Sequence, residues 1–229
     1  SSGIKIHLLC SPHNPIGRVF SREELSKFLA LAVKYDVTII SDEIHSPLEY
    51  SEHPFVPMLS LGKDAESHCV VVTAASKGWN IAGLKCAIIV SASDAMHERL
   101  NALPPALHFR ASLFGAFATA VAFDKCVPWL DAVITQLDHN RHLISTLLAE
   151  HLPEVIYNPP QHSYLAWFDL SALNLGDMPT TVVLEKTNVA LNAGHIYGAQ
   201  WGQFARMNFA TSPEIITQAI TQMARGIRG

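Results

Sequence analysis

The sequence lacks any uninterrupted apolar stretch of the ~18–20 residues that a membrane-spanning helix needs. Charge is also sparse: Asp, Glu, Lys and Arg make up 16% of 229 residues and leave a formal net charge of −4. No Lys/Arg run forms a patch suited to nucleic acid or an anionic bilayer, so neither partner is expected. No charged segment leads into an apolar one at the N-terminus, so no secretory leader is expected. Cysteine is limited to Cys10, Cys69, Cys86 and Cys126, with no C-x-x-C pair. Three of them lie in or beside apolar runs, which predicts buried reduced thiols and a cytoplasmic setting. The 12 histidines include no H-E-x-x-H or comparable ligand spacing, so no metal centre is expected. Internal repeats and low-complexity tracts are missing too.

What the sequence does have is core material, 49% hydrophobic residues, which excludes a disordered chain. The length fits one large domain or two small ones. Apolar runs over 4–10, 37–41, 69–73 and 85–90 predict four strands. Between the first two, Ser21 and Glu24 have capping-box spacing. Leu25, Phe28, Leu29, Ala32 and Val33 then recur with helical period. A further helix is predicted over 93–102, and 43–68 is predicted to be loop-rich. Strands alternating with helices predict a mostly parallel sheet covered on both faces.

From about residue 111 the pattern changes. Residues 111–124 predict an apolar, buried helix, and Pro128 opens a long helix reaching about His151. Strands are predicted at 154–157, 163–169, 189–192 and 204–210, with helices over 179–187 and 213–226. The fold class is therefore α/β, with a first domain over 1–127 and a small α+β domain over 128–229.

In open parallel sheets, ligands sit beyond the carboxyl ends of the strands. Three of the predicted strands each deliver a polar group there: Asn14, Asp42 and Lys77. Lysine is rarely buried without a partner, and in partly apolar surroundings it becomes a usable amine nucleophile. Lys77 follows Val70-Val71-Val72-Thr73-Ala74-Ala75 and precedes Gly78-Trp79-Asn80-Ile81-Ala82-Gly83. The alternative is a lysine that caps the strand and reaches solvent.

Four segments carry a family resemblance. They are Ser11-Pro12-His13-Asn14-Pro15-Ile16-Gly17, Ser41-Asp42-Glu43-Ile44-His45, the stretch from Ser76 to Lys85, and Phe204-Ala205-Arg206-Met207-Asn208-Phe209-Ala210. In order and spacing they resemble fold-type-I enzymes dependent on pyridoxal 5'-phosphate (PLP), of aminotransferase class I/II. Pro-His-Asn-Pro, Asp-Glu-Ile-His and Trp79-Asn80 with Gly-Leu-Lys resemble the cystathionine β-lyase branch of C–S lyases. The resemblance covers essentially the whole chain and matches the C-terminal portion of a family member. It implies the PLP-dependent transferase fold, with part of the large domain followed by a small domain.

The resemblance also implies residue roles. Lys77 would take the cofactor aldehyde and shuttle the Cα proton of an amino-acid substrate. Asp42 would face the pyridine nitrogen, keeping the ring an electron sink, and Asn14 would donate to the ring's phenolic oxygen. Lys85 stands where the family usually has arginine on the phosphate, and supplies charge without a fork. Ser76 would add a phosphate hydrogen bond, and His45, where common aminotransferases carry tyrosine, would touch the cofactor. Arg206 would grip the substrate carboxylate; Ala205, Met207 and Phe209 alternate with Arg206 and Asn208, so the strand presents it on the face opposite its apolar side. Tyr164, Trp167, His195 and Tyr197 are candidates to line the substrate side chain, with core packing the alternative.

The implied reaction is C–S β-elimination giving thiol, pyruvate and ammonia. The alternatives are amino transfer to a 2-oxo acid, or a non-catalytic regulatory role. A complete family member carries a preceding portion with a Gly-rich phosphate loop, a ring-stacking aromatic and much of a homodimer interface; PLP binding by the present residues alone is therefore an open expectation.

Overall fold

A computed structural model describes residues 3–228, without the side chain of His108. The chain divides into two compact units. One comprises residues up to His13 together with Arg18–Ala132; the other comprises Asn14–Gly17 with Val133 onward.

The first unit holds a sheet in the order β1 (Ile6–Cys10), β2 (Thr38–Asp42), β3 (Cys69–Thr73), β4 (Ile88–Val90). β1, β2 and β3 run parallel, while β4 returns antiparallel to β3. The β1–β2 crossover is α1 (Arg22–Tyr35), which starts at the predicted capping box. The Ser21 hydroxyl accepts from the Glu24 amide at 3.2 Å, and the Glu24 carboxylate accepts from the Ser21 amide at 2.9 Å. Asp36, left-handed at φ 52°, ends the helix. Leu25, Leu29 and Ala32 of α1 bury against Ile39, Met58, Ala65, Cys69 and Val71. Each fully buried aliphatic of this kind contributes roughly 1.5–3 kcal/mol.

Two expectations change here. The stretch from 43 to 68 is not all loop: α2 (Lys63–His68) closes it, because its prolines stop at Pro57. The fourth strand begins only at Ile88, because Lys85 adopts a left-handed φ of 55° that no strand accommodates.

After β3 come a one-turn helix α3 (Ala75–Gly78), then β4, α4 (Asp94–Asn101) and α5 (Leu113–Lys125). Sheet coverage is one-sided at β1, where Leu8 is 73% exposed. α5 was expected to be buried, and its large side chains are not. Leu113, Phe114, Phe117 and Val121 are exposed, while the small residues Gly115, Thr119 and Ala122 face inward. A Cβ on Gly115 would collide with the Leu84 carbonyl oxygen, so close backbone approach, not bulk, seats this helix.

α6 (Val127–His151) begins in the first unit and continues into the second. No single helix among the described residues is long and apolar enough to cross a membrane; α5 and α6 reach that test only as a pair bent by 79°. The second unit contains an antiparallel sheet in the order β5 (Ile156–Tyr157), β6 (Leu165–Asp169), β8 (Phe204–Asn208), β7 (Asn192–Ala193). β7 starts later than expected. α7 (Pro179–Thr187) is capped by left-handed Asn188, and the Val189 amide donates to Thr187 Oγ1 at 3.2 Å, not to a neighbouring strand.

α8 (Pro213–Arg228) buries Ile216, Ile220, Met223 and Ala224, the i, i+4, i+7, i+8 stripe of an amphipathic helix. Asn140 of α6, fully buried, donates its amide to Phe209 O at 3.0 Å and Thr211 O at 2.8 Å. That satisfies the chain just past β8, where an unpaired buried polar group would be costly.

Candidate active site

Asp42 is the last residue of β2. Its register partners are Cys10 on β1 and Val72 on β3, which puts it at the carboxyl edge of the parallel strands. Its side chain is exposed, and its Oδ1 accepts from the Ile44 amide at 3.1 Å. The turn that follows carries His45, which is buried. The Ser46 amide donates to Glu43 O at 2.9 Å and the Leu48 amide to His45 O at 3.0 Å.

Lys77 lies on α3, which begins two residues beyond the end of β3, and is half-buried. Its neighbours fix that turn. Ala74 and Ala75 are completely buried. Gly78 packs so closely on Pro47 that a Cβ would lie 2.9 Å from the proline ring. Trp79 donates from Nε1 to Cys126 O at 2.9 Å and meets Phe123 edge-on at 4.7 Å. Ser76 Oγ donates to Cys86 O at 3.4 Å. Lys85 is exposed at the end of a 3-10 turn, its carbonyl held by the Ser112 amide at 3.0 Å. Asp42, His45, Ser76, Lys77 and Lys85 are thus all in the first unit, on segments that leave the same ends of β2 and β3.

Asn14 and Arg206 are in the second unit and bind each other. Arg206 Nη1 donates to Asn14 Oδ1 at 3.0 Å, and Nη2 donates to Asn192 Oδ1 at 3.0 Å. The guanidinium carbon sits 5.4 Å from the centre of the Tyr197 ring. Arg206 Nε is buried without a hydrogen-bond partner among the described residues. Trp167 and Asn192 are the register partners of Arg206 on the two flanking strands, so all three share a face. Trp167 stacks on Phe204 at 5.4 Å and meets Tyr197 edge-on at 5.4 Å. Burial pushes the Tyr164 hydroxyl above the ordinary tyrosine value, against the opposing pull of Arg206. His195 is exposed on a 3-10 turn.

Asn192 was not singled out in the sequence. It reaches Arg206 only through the pairing of β7 with β8, which no local pattern reveals. Glu43 likewise has no assigned role in the sequence, because its bond to the Met58 amide crosses 15 residues. No group of three metal-ligating side chains occurs among the described residues.

Residues 1–223 match the family model for aminotransferase class I and II. The chain belongs to that family. Cystathionine β-lyase PatB of Bacillus subtilis is 37% identical over 215 residues, covering 91% of this chain and 54% of the relative. A Corynebacterium diphtheriae structure, described as a candidate PLP-dependent β-cystathionase, superposes with a TM-score of 0.94 at 34% identity. That match covers 98% of this chain and 59% of the other. The PLP-bound C–S lyase of Staphylococcus hominis superposes with a TM-score of 0.88 at 26% identity, covering 99% and 59%. The chain therefore spans between half and three fifths of the proteins it matches, with the mostly parallel sheet of a class I and II aminotransferase fold.

Proposed function

We propose that this family member serves a PLP-dependent C–S β-lyase acting on cystathionine-like amino acids. The observation that carries the reading is the placement, within one unit, of a carboxylate at the end of β2 and a half-buried lysine just past the adjacent β3. The donor set fits the cofactor: an amine for its aldehyde, a carboxylate for its ring nitrogen, and a hydroxyl and an ammonium for its phosphate. PLP, when bound, supplies an electron-withdrawing ring that lets a Cα proton leave and a Cβ–S bond break.

Lys77 would hold the cofactor and move the Cα proton as general base. Asp42 would keep a proton at the ring nitrogen, and Lys85 and Ser76 would hold the phosphate. His45 would add a contact beside Asp42. Asn14, whose Oδ1 receives Arg206, would offer its Nδ2 to the ring's phenolic oxygen. Arg206 would grip the substrate carboxylate. A homodimer and a cytoplasmic location belong to the same reading, the latter supported by four cysteines in the free state. A domain division at 127/128, where α6 begins, is part of it as well.

The test is pyruvate release from cystathionine by the intact protein supplied with PLP. Release without any 2-oxo acid supports the lyase, and an absolute requirement for a 2-oxo acid makes it an aminotransferase. Lys77→Ala is expected to remove the visible cofactor absorption and to lower the rate by about 100-fold or more. An unchanged spectrum in that variant would overturn the reading.

A further inference from the structure

Glu43 follows Asp42 directly and is 4% exposed, although it is acidic and belongs to none of the roles above. Its amide, its carbonyl and a carboxylate oxygen are all engaged. The amide donates to Val72 O on β3 at 2.8 Å, extending the β2–β3 ladder one step beyond Asp42. The carbonyl accepts from the Ser46 amide at 2.9 Å. The carboxylate oxygen Oε1 accepts from Ser41 Oγ at 3.0 Å and from the Met58 amide at 2.9 Å.

These bonds close a loop. Ser41 precedes Asp42 on β2, and Met58 opens the 3-10 turn that ends the 43–57 excursion. Glu43 therefore ties the far end of the excursion back to the strand it left. The turn held in this way contains Ile44, whose amide orients the Asp42 carboxylate at 3.1 Å, and His45, whose carbonyl takes the Leu48 amide. A buried hydrogen-bonded acid of this kind is costly to strip of partners and rigidifies what it joins.

We propose that Glu43 is a positioning residue of the cofactor site, fixing the aim of the Asp42 carboxylate and the place of His45 through its bonds to Ser41 and Met58. The proposal rests on the PLP reading of Asp42. Burial holds the Glu43 carboxyl above the ordinary carboxylate range, as expected for a side chain kept for its acceptor oxygen and not for charge. Glu43→Gln keeps that oxygen, and Glu43→Ala removes it.

The experiment compares the intact wild-type protein with Glu43→Ala, Glu43→Gln and Glu43→Asp. Three quantities are read: the equilibrium dissociation constant for PLP, the pH midpoint of its visible absorption, and the thermal midpoint. Glu43→Ala is expected to weaken PLP binding at least tenfold and to move the pH midpoint, with Glu43→Gln restoring both to within threefold of wild type. Glu43→Asp keeps the carboxyl group but pulls the oxygen back, and it is expected to behave like alanine; it decides the matter should the alanine variant not fold. A lower thermal midpoint with PLP affinity and pH midpoint unchanged would make Glu43 a structural brace only and overturn the proposal. A wild-type protein without visible absorption on adding PLP would overturn the cofactor reading, and this inference with it.

Discussion

Arg206 and Asn14 are 192 positions apart in sequence and 3.0 Å apart in space, with the Arg206 Nη1 donating to the Asn14 amide oxygen. The second terminal nitrogen is held in the same way by Asn192. The guanidinium is thus aimed by two neutral amides, with no counter-charge consuming it among the described residues.

Asn192→Ala removes one of those amides without touching any residue assigned to the cofactor. A hydrogen bond to a charged group contributes about 1.5–3 kcal/mol, so under the proposed lyase function the KM for cystathionine is expected to rise roughly tenfold or more. The PLP absorption should stay as in wild type. Steady-state kinetics and a spectrum check this, and an unmoved KM would remove Arg206 from the carboxylate role.

Gly17 has φ +64°, and a Cβ there would strike Pro160 Cβ and sit 2.7 Å from His162 O. A non-glycine residue in that backbone region costs about 1–3 kcal/mol before any clash is counted. For a chain of this size Gly17→Ala should lower the thermal midpoint by roughly 2–12 °C. Circular dichroism melting measures it; an unchanged midpoint would show that the 14–17 segment is not packed as described.

The raised Glu43 carboxyl has a definite consequence for pH. Above the ordinary glutamate value of 4.5, the unfolded chain releases this proton while the folded protein still holds it. Glu43 therefore adds stability in acid that is lost as pH rises through its folded value. Glu43→Gln removes the slope, so the variant should gain on wild type between pH 4 and pH 8. Urea unfolding at several pH values tests this, and a constant difference would refute it.

Burial, with the Glu43 carboxylate adding to it, pushes the Cys69 thiol up to about 12. The residue is also completely buried. At pH 8 a thiol reagent should therefore modify at most Cys10, Cys86 and Cys126 in the folded protein, and all four cysteines after denaturation. Rapid labelling of Cys69 in the native state would contradict this.

Much of this was legible in the sequence because it is local. The Ser21–Glu24 capping box, the four apolar strands, and the α7 and α8 helices are written in adjacent residues, and each forms where expected within a few positions. Arg206 was also readable, since strand alternation separates it from Ala205 and Met207. What escaped depends on pairing between distant segments. Asn192 meets Arg206 through strand register, and Glu43 meets Met58 across 15 residues of loop. The α5 expectation failed for a related reason: a largely apolar helix has no pattern to say which side is covered, and here the side carrying Gly115, Thr119 and Ala122 is the covered one.

That stripe on α5 inverts the usual map of mutational tolerance. In most helices the bulky apolar positions are the ones that cannot be changed. Here an added methyl at Gly115 would strike backbone, while Phe114 and Phe117, 77% and 64% exposed, lie on the outside of the unit. The seating of this helix is therefore most sensitive to a single added methyl at Gly115, where backbone, not side chain, would have to give way.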